Sequence, residues 1–399
     1  MSSSTAEPAD CLIVGCGVPG PADEPPVVDI AITGDRIVAV TPHRDGQRAA
    51  REQVDGRGAW VSPGLVDLHI HGAFGTSFAT CDHDGFNELT GGLASRGITT
   101  VQASLVSLPP GHLVSLMHRL APMLGPRPGR TTVHGLHLEG PYLSAAQAGA
   151  HDRSVLRAPD ADEQELILDP GNGISMITIA PELPGAVGLI EGCARGDRIV
   201  VAVGHSDGGQ DDFVAARRAG AKHITHLWSG QSLLTRRGPW RQPGMVEASL
   251  ASDLSAEVIA DGKHLPPTLL EIARRCIGDR LVVVSDATPG AGMPDGFRYR
   301  LGRVPCRVEA GVGVVEGQDA FGGSTTLIDD MLRYLVLELG WPLHQVLPMV
   351  TSAPASVLGL GEIGTIAVGN RADLVLWESN LAVRHVVVGG QPVDFASRR

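Results

Sequence analysis

Residues 66–72 read VDLHIHG, placing two imidazoles, His69 and His71, one residue apart in an otherwise apolar run. Successive side chains of a strand alternate faces, so both rings project the same way. For an isolated pair, hydrogen-bonded core histidines would be the ordinary reading. This pair is not isolated. Glu139 ends the run GLHLE, His205 ends VAVGH, His226 stands in ITHLWSG and Asp286 ends VVVSD. Four imidazoles and two carboxylates brought together would be expensive to bury without compensation. A divalent cation supplies it, since neutral imidazole nitrogen and carboxylate oxygen form the ligand set of zinc or a similar first-row ion. The chemistry such an ion offers is hydrolysis, because it lowers the pKa of water from ~15.7 to about 7.

The elements that carry these groups repeat along the chain. Apolar runs at 64–70, 98–106, 131–139, 174–180, 198–205, 222–227, 255–261 and 281–286 alternate with helix-like pieces such as GFNELTGGLASRG, DDFVAARRAG and PPTLLEIARRC. Eight strand-like runs alternating with helices predict an α/β chain folded as a (β/α)8 TIM barrel, although a doubly wound open sheet produces a similar alternation. In a barrel all eight C-terminal strand ends face one rim, and there His69, His71, Glu139, His205, His226 and Asp286 would meet.

The flanks have a different texture. CLIVGC (11–16), VVDIAITGDRIVAVTP (27–42) and GRGAWVSPG (56–64) carry strand patterns broken by Gly-Asp and Pro turn signals. The tail, through DLVLW and VRHVVVGGQPV, returns to strands. Residues 1–62 and 360–399 are therefore expected to form one small β-sandwich domain beside a barrel spanning 63–359. Residues 287–320 read as a hairpin excursion from the rim, and 324–340 and 342–360 as two amphipathic helices.

The bulk numbers set bounds. With 399 residues, 43% hydrophobic and 19% charged, the chain has ample apolar material for a core. A formal charge of −12 gives no electrostatic footprint for nucleic acid or an anionic membrane, so a small-molecule substrate is expected. Six scattered cysteines without a CxxC spacing argue against a disulfide scaffold. No signal-peptide pattern or membrane-length apolar run is seen, and a soluble, cytoplasmic protein is the expectation.

The motif PGLVDLHIHG, the single histidines of the fifth and sixth runs, and the Asp of the eighth resemble the metal-dependent amidohydrolases. Within that superfamily HLEGPYLS, the AGAH ending at His151, TIAPE, GHSDG, THLW, DGKH and VSDATPGAG resemble the N-acetylglucosamine-6-phosphate deacetylase family, in the right order and over nearly the whole chain. Many two-metal amidohydrolases bridge their ions with a carbamylated lysine at the fourth strand. This chain has only Lys222 and Lys263, neither near ISMITIAPE, so the carbamate-type cyclic amidases are disfavoured.

The resemblance implies roles. Glu139, His205 and His226 would hold the principal metal, with His69 and His71 completing a second site bridged by Glu139. Zn²⁺ is the expected ion, with Fe²⁺ or another first-row ion as alternatives; one ion suffices for the chemistry. Asp286, also among the expected metal ligands, would take a proton from the attacking water and deliver it to the leaving amine. His151 would share the developing oxyanion charge. His137, facing the interior one layer deeper, reads as support rather than ligand, and His223 as structural.

For substrate, the resemblance implies contacts from Ala150, His151, Ser229, Gly230, Arg237, His264, Phe321, Gly322 and Gly323, with Arg237 presenting a guanidinium fork to phosphate. It also implies a homodimer in which a second subunit reaches the phosphate. THLWSGQ stands where the family shows THLYNAM, so Ser229 and Gly230 replace an Asn-Ala pair. The expected reaction is hydrolysis of N-acetylglucosamine-6-phosphate to glucosamine-6-phosphate and acetate. The alternative is the same amide hydrolysis on another N-acyl amino sugar, or on a small N-acyl amine without the phosphate. A non-catalytic relative would be expected to have lost Asp286 or Glu139, and both are present.

Overall fold

A computed structural model of the chain describes residues 8–22, 24–44 and 50–394. Its centre is an eight-stranded parallel sheet in chain order: β1 (Leu65–Ile70), β2 (Ile98–Val106), β3 (Thr132–Glu139), β4 (Ile174–Ile179), β5 (Val200–Val203), β6 (His223–Ile224), β7 (Ser255–Ile259) and β8 (Leu281–Val284). Every residue of β1 and β2 is buried, the signature of strands covered on both faces, and it explains why the runs read as continuous rather than alternating. The sheet curls into a barrel whose seam is closed beyond the strand tips. There the Asp286 N–H donates to His69 O (2.8 Å) and the His71 N–H to Ala287 O (2.8 Å). The fold is a (β/α)8 TIM barrel with a small β-sandwich domain.

A helix follows each strand: α1 (His83–Ser95), α2 (Pro110–Leu120), α3 (Ala161–Leu168), α4 (Ala186–Gly196), α5 (Gln210–Ala219), α6 (Met245–Leu250), α7 (Pro267–Ile277) and α8 (Ile328–Arg333). In α7, Pro267 occupies the first turn, where its missing N–H costs nothing, and Leu270, Ala273 and Ile277 fall on the buried stripe. α5 ends at Gly220, whose φ of 114° is a left-handed cap that glycine adopts without strain.

The strands of the two flanks share a second sheet: Ala9–Gly17, Val27–Thr33, Arg36–Pro42, Ala50–Asp55 and Trp60–Pro63 join Leu374–Trp377, Val383–Val388 and Gln391–Pro392. It carries its own apolar cluster, including Ile13, Ile30, Val61 and Leu374. Residues 298–315 form a three-stranded antiparallel sheet rather than a single hairpin. The helix expected over 342–360 is two pieces, Leu343–Met349 (α9) and Ser352–Val357 (α10). Pro354 explains the break, since its ring would clash with the carbonyl of Val350 in a continuous helix.

Candidate active site

Each sequence-derived ligand candidate lies at the C-terminal end of its strand. His69 is inside β1 and His71 one residue beyond it; Glu139 is the last residue of β3. His205 and Asp286 lie two residues past the assigned ends of β5 and β8, and His226 two past β6. His205 and Asp286 both have φ of 47°. Non-glycine residues tolerate that left-handed conformation only where surroundings impose it, and such strain concentrates at functional sites.

Four of the imidazoles converge on the Glu139 carboxylate. Its Oε1 lies 3.0 Å from His205 Nε2 and 3.0 Å from His226 Nε2. Its Oε2 lies 3.4 Å from His69 Nε2 and 3.3 Å from His71 Nε2. Asp286 Oδ1 closes the ring, 3.2 Å from His71 Nε2 and 3.5 Å from His69 Nε2. A cavity of about 250 Å³ opens on this cluster, and His71, Glu139, His205, His226 and Asp286 line it. His69 lies behind them, fully buried.

The rings' far nitrogens fix what the near ones can do. His71 Nδ1 stands 3.1 Å from Ser104 O and His205 Nδ1 2.7 Å from Gln147 O. A carbonyl only accepts, so both Nδ1 atoms carry the proton and both Nε2 atoms present a lone pair. Lone pairs therefore face carboxylate oxygens with no donor between them. That arrangement is repulsive unless protons or a cation fill it. Without a cation, Glu139 and Asp286 outweigh the effect of burial and push His71 up to about 9 and His69 well above the usual histidine range. Burial opposes the charge on Glu139, yet His69 and His151 hold its carboxyl well below the usual range. The His69 Nε2 atom is buried with no hydrogen-bond partner. The donor set fits a divalent ion.

Of the residues expected to face substrate, Ala150, His151, Ser229 and Gly230 line one side of the cavity. His264, Phe321 and Gly323 also line it, with the His264 and Phe321 ring centroids 4.4 Å apart. Gly322 is not among its lining residues, and Arg237 stands outside it, exposed on a hairpin of Thr235–Arg237 and Trp240–Gln242. Gly230, at φ 68°, packs directly on His205; a Cβ there would stand 2.6 Å from the ring's Nδ1.

The profile of the amidohydrolase family matches residues 60–393. N-acetylglucosamine-6-phosphate deacetylase of Vibrio furnissii is 31% identical over 371 residues, covering 92% of this chain and 91% of that protein. The chain belongs to the amidohydrolase family, in its N-acetylglucosamine-6-phosphate deacetylase branch. N-acetylgalactosamine-6-phosphate deacetylase of Escherichia coli O157:H7 is 30% identical, covering 84% of this chain and 88% of that protein. Among solved structures, a mutant of the Mycobacterium smegmatis N-acetyl-D-glucosamine-6-phosphate deacetylase, in complex with N-acetyl-D-glucosamine-6-phosphate, superposes with a TM-score of 0.85. It is 33% identical and covers 97% of this chain and 100% of its own.

Amidohydrolases are metal-dependent, and this chain offers two candidate groups among its described residues: His69, His71 and Glu139, and Glu139, His151 and His205. Hydrogen bonding separates them. The Ser107 backbone N–H donates to His151 Nδ1 (3.2 Å), with the Ser107 hydroxyl 2.9 Å from the same atom. An Nδ1 that accepts a backbone N–H is unprotonated, so neutral His151 carries its proton on Nε2, 3.3 Å from Glu139 Oε2. Burial, its largest influence, also lowers the His151 pKa. In this amidohydrolase site His151 is built to donate from Nε2 toward Glu139, where His71 and His205 present lone pairs.

His137 touches no ligand oxygen of the deacetylase-like cluster; it bridges Ser104 Oγ (2.9 Å) and Thr178 Oγ1 (2.8 Å). His223 binds Ser255 Oγ and Glu257 instead of the central carboxylate. Sequence reading missed Glu257 and Asp261. Glu257 is a fully buried acid in the middle of β7, and Asp261 Oδ2 holds His264 Nδ1 at 2.7 Å. The available signal was a carboxylate inside the apolar run SAEVIAD, a placement that burial forbids without partners.

Proposed function

We propose that this protein deacetylates N-acetylglucosamine-6-phosphate, giving glucosamine-6-phosphate and acetate. The convergence of His69, His71, Glu139, His205, His226 and Asp286 at one rim carries the reading, joined to end-to-end similarity with deacetylases of N-acetyl amino sugar phosphates. Glu139, His205 and His226 would hold a principal metal, Zn²⁺ by the chemistry of its donors, and His69 and His71 a second bridged by Glu139. When bound, the ion polarises the amide and makes hydroxide available near neutral pH.

The chain's own residues supply the rest. Asp286 takes the proton from water as oxygen adds to the acetyl carbon, then returns it to the amide nitrogen as the C–N bond breaks. The nitrogen leaves as a neutral amine only with that proton. His151 Nε2–H donates to the carbonyl oxygen as charge grows there. His264 is held by Asp261 with its Nδ1 committed, leaving Nε2 to orient the sugar. Ser229 and Gly230 would approach the sugar through backbone, and Ala150, Phe321, Gly322 and Gly323 would shape its walls.

Arg237 is proposed as the phosphate ligand. Because it stands outside the cavity of its own chain, the reading includes a homodimer. The same hairpin region exposes Leu233, Leu234 and Trp240, apolar surface that a second copy would cover. A single-chain mass in solution with full activity would reject this part. The division into a small β domain (1–62 with 360–399) and a barrel (63–359) belongs to the same reading; residues 1–7, 23, 45–49 and 395–399 of it lie outside the described residues. No helix among the described residues is long and apolar enough to cross a membrane. All six cysteines are unpaired, which suits the reducing cytoplasm.

Two observations favour a second reading, the same chemistry on another N-acyl amino sugar: the Ser229-Gly230 pair at the cavity wall and the similarity to the N-acetylgalactosamine-6-phosphate enzyme. The test is acetate release with added Zn²⁺ from N-acetylglucosamine-6-phosphate, N-acetylgalactosamine-6-phosphate and unphosphorylated N-acetylglucosamine. The highest kcat/KM is expected on the first, with Arg237→Ala raising KM for phosphorylated sugars alone. A higher kcat/KM on N-acetylgalactosamine-6-phosphate, or equal rates on the unphosphorylated sugar, would replace the main reading by the second.

A further inference from the structure

Glu257 reaches from β7 past the neighbouring β8 to touch β1, and its oxygens face two imidazole nitrogens and a backbone N–H. Its Oε2 lies 3.3 Å from His69 Nδ1 and accepts the His226 backbone N–H at 3.1 Å. Its Oε1 lies 3.0 Å from His223 Nε2. A carboxylate has no proton to give, so His69 must carry its proton on Nδ1 and aim a lone pair from Nε2 at the Glu139–Asp286 gap. That Nε2 is buried without a hydrogen-bond partner.

We propose that Glu257 is a positioning residue of the metal centre, fixing the tautomer and direction of the His69 ring and, through the His226 backbone, tying the two halves of the site to one anchor. The proposal rests on the two-ion reading above and deepens it. The carboxylate behind an imidazole both orients a ligand and raises its basicity, and losing such a partner typically weakens metal binding about 10–100-fold. The His69–His71 half depends on Glu257 through a side chain, whereas His226 is touched only at its backbone. The effect should therefore fall on one ion. Glutamine is the informative replacement: it keeps the volume, but one of its two polar atoms becomes a donor facing donors.

The experiment is Zn²⁺ titration with metal content measured by elemental analysis on purified wild type, Glu257→Gln, His69→Gln and the double variant. Two equivalents are expected for wild type. Glu257→Gln should keep one tightly bound and hold the other about 10–100-fold more weakly, His69→Gln should weaken that same ion at least as much, and the double variant should lose no more than His69→Gln alone. Wild type with one equivalent, unchanged in His69→Gln, would overturn the two-ion reading and this proposal with it. Wild type with two and Glu257→Gln also with two at unchanged affinity would overturn only the proposal. So would losses that add in the double variant, because a purely structural role for Glu257 acts independently of His69. Should Glu257→Gln fail to fold, Glu257→Asp carries the test: the same selective weakening supports the proposal, and unchanged affinity for both ions overturns it.

Discussion

Ser107 and His151 are joined twice: the Ser107 N–H donates to His151 Nδ1 and its hydroxyl lies 2.9 Å from the same atom. The backbone contact settles the tautomer, because an N–H cannot accept. His151 is thereby set apart from His71 and His205, whose Nδ1 protons go to carbonyls. Proximity alone groups His151 with the ligands; hydrogen bonding assigns it the opposite polarity.

His151→Ala should therefore lower kcat about 10²–10³-fold, the usual cost of one oxyanion donor, while metal content stays at the wild-type level. Elemental analysis beside steady-state kinetics checks this. Loss of a metal equivalent in His151→Ala would mean that the ring is a ligand and that the tautomer is wrong.

Asp286→Asn should reduce kcat by about 10²–10⁴-fold through loss of proton transfer, with fold and metal content nearly unchanged, since the amide oxygen can still face the ion. Circular dichroism, metal analysis and turnover on one preparation decide it. Retained rate would remove Asp286 from the chemistry.

His205→Ala should lose tightly held metal, and chelation of wild type should have the same consequence for activity. Because an ion binds the folded site and not the unfolded chain, its removal should also lower Tm, and Zn²⁺ should restore it. A His205→Ala protein with wild-type stoichiometry would contradict the assignment of this residue as a ligand.

Much of this arrangement was legible in the sequence, for a specific reason. Parallel barrel strands are buried on both faces, so a titratable residue at the end of such a run stands out against its neighbours, and a barrel sends all those ends to one rim. His69, His71, Glu139, His205, His226 and Asp286 could be collected that way. Glu257 could not, because the reading attended to strand ends and this acid lies mid-strand, meeting its partners across the barrel interior. The break between α9 and α10 was masked by apolar periodicity on both sides of Pro354. Arg237 lies on a hairpin outside its own chain's cavity, and motif position does not say which subunit's cavity such a residue would serve.

Gly230, packed against His205, supplies the last prediction. Its φ of 68° and its contact with His205 are separate demands. An alanine there would bear about 1–2 kcal/mol for the left-handed backbone. Its Cβ would also stand 2.6 Å from His205 Nδ1 and 2.9 Å from Gln147 O, the two atoms of the hydrogen bond that orients the ligand. One of them must move. If the ring turns, His205 no longer aims Nε2 at Glu139, and Gly230→Ala should bind Zn²⁺ about 10–100-fold more weakly, as expected when a ligand's supporting hydrogen bond is lost. Activity should then fall at limiting Zn²⁺ and recover in excess metal, a pattern that simple destabilisation does not produce. Unchanged affinity and activity would mean that the loop shifts instead and that residue 230 does not govern His205.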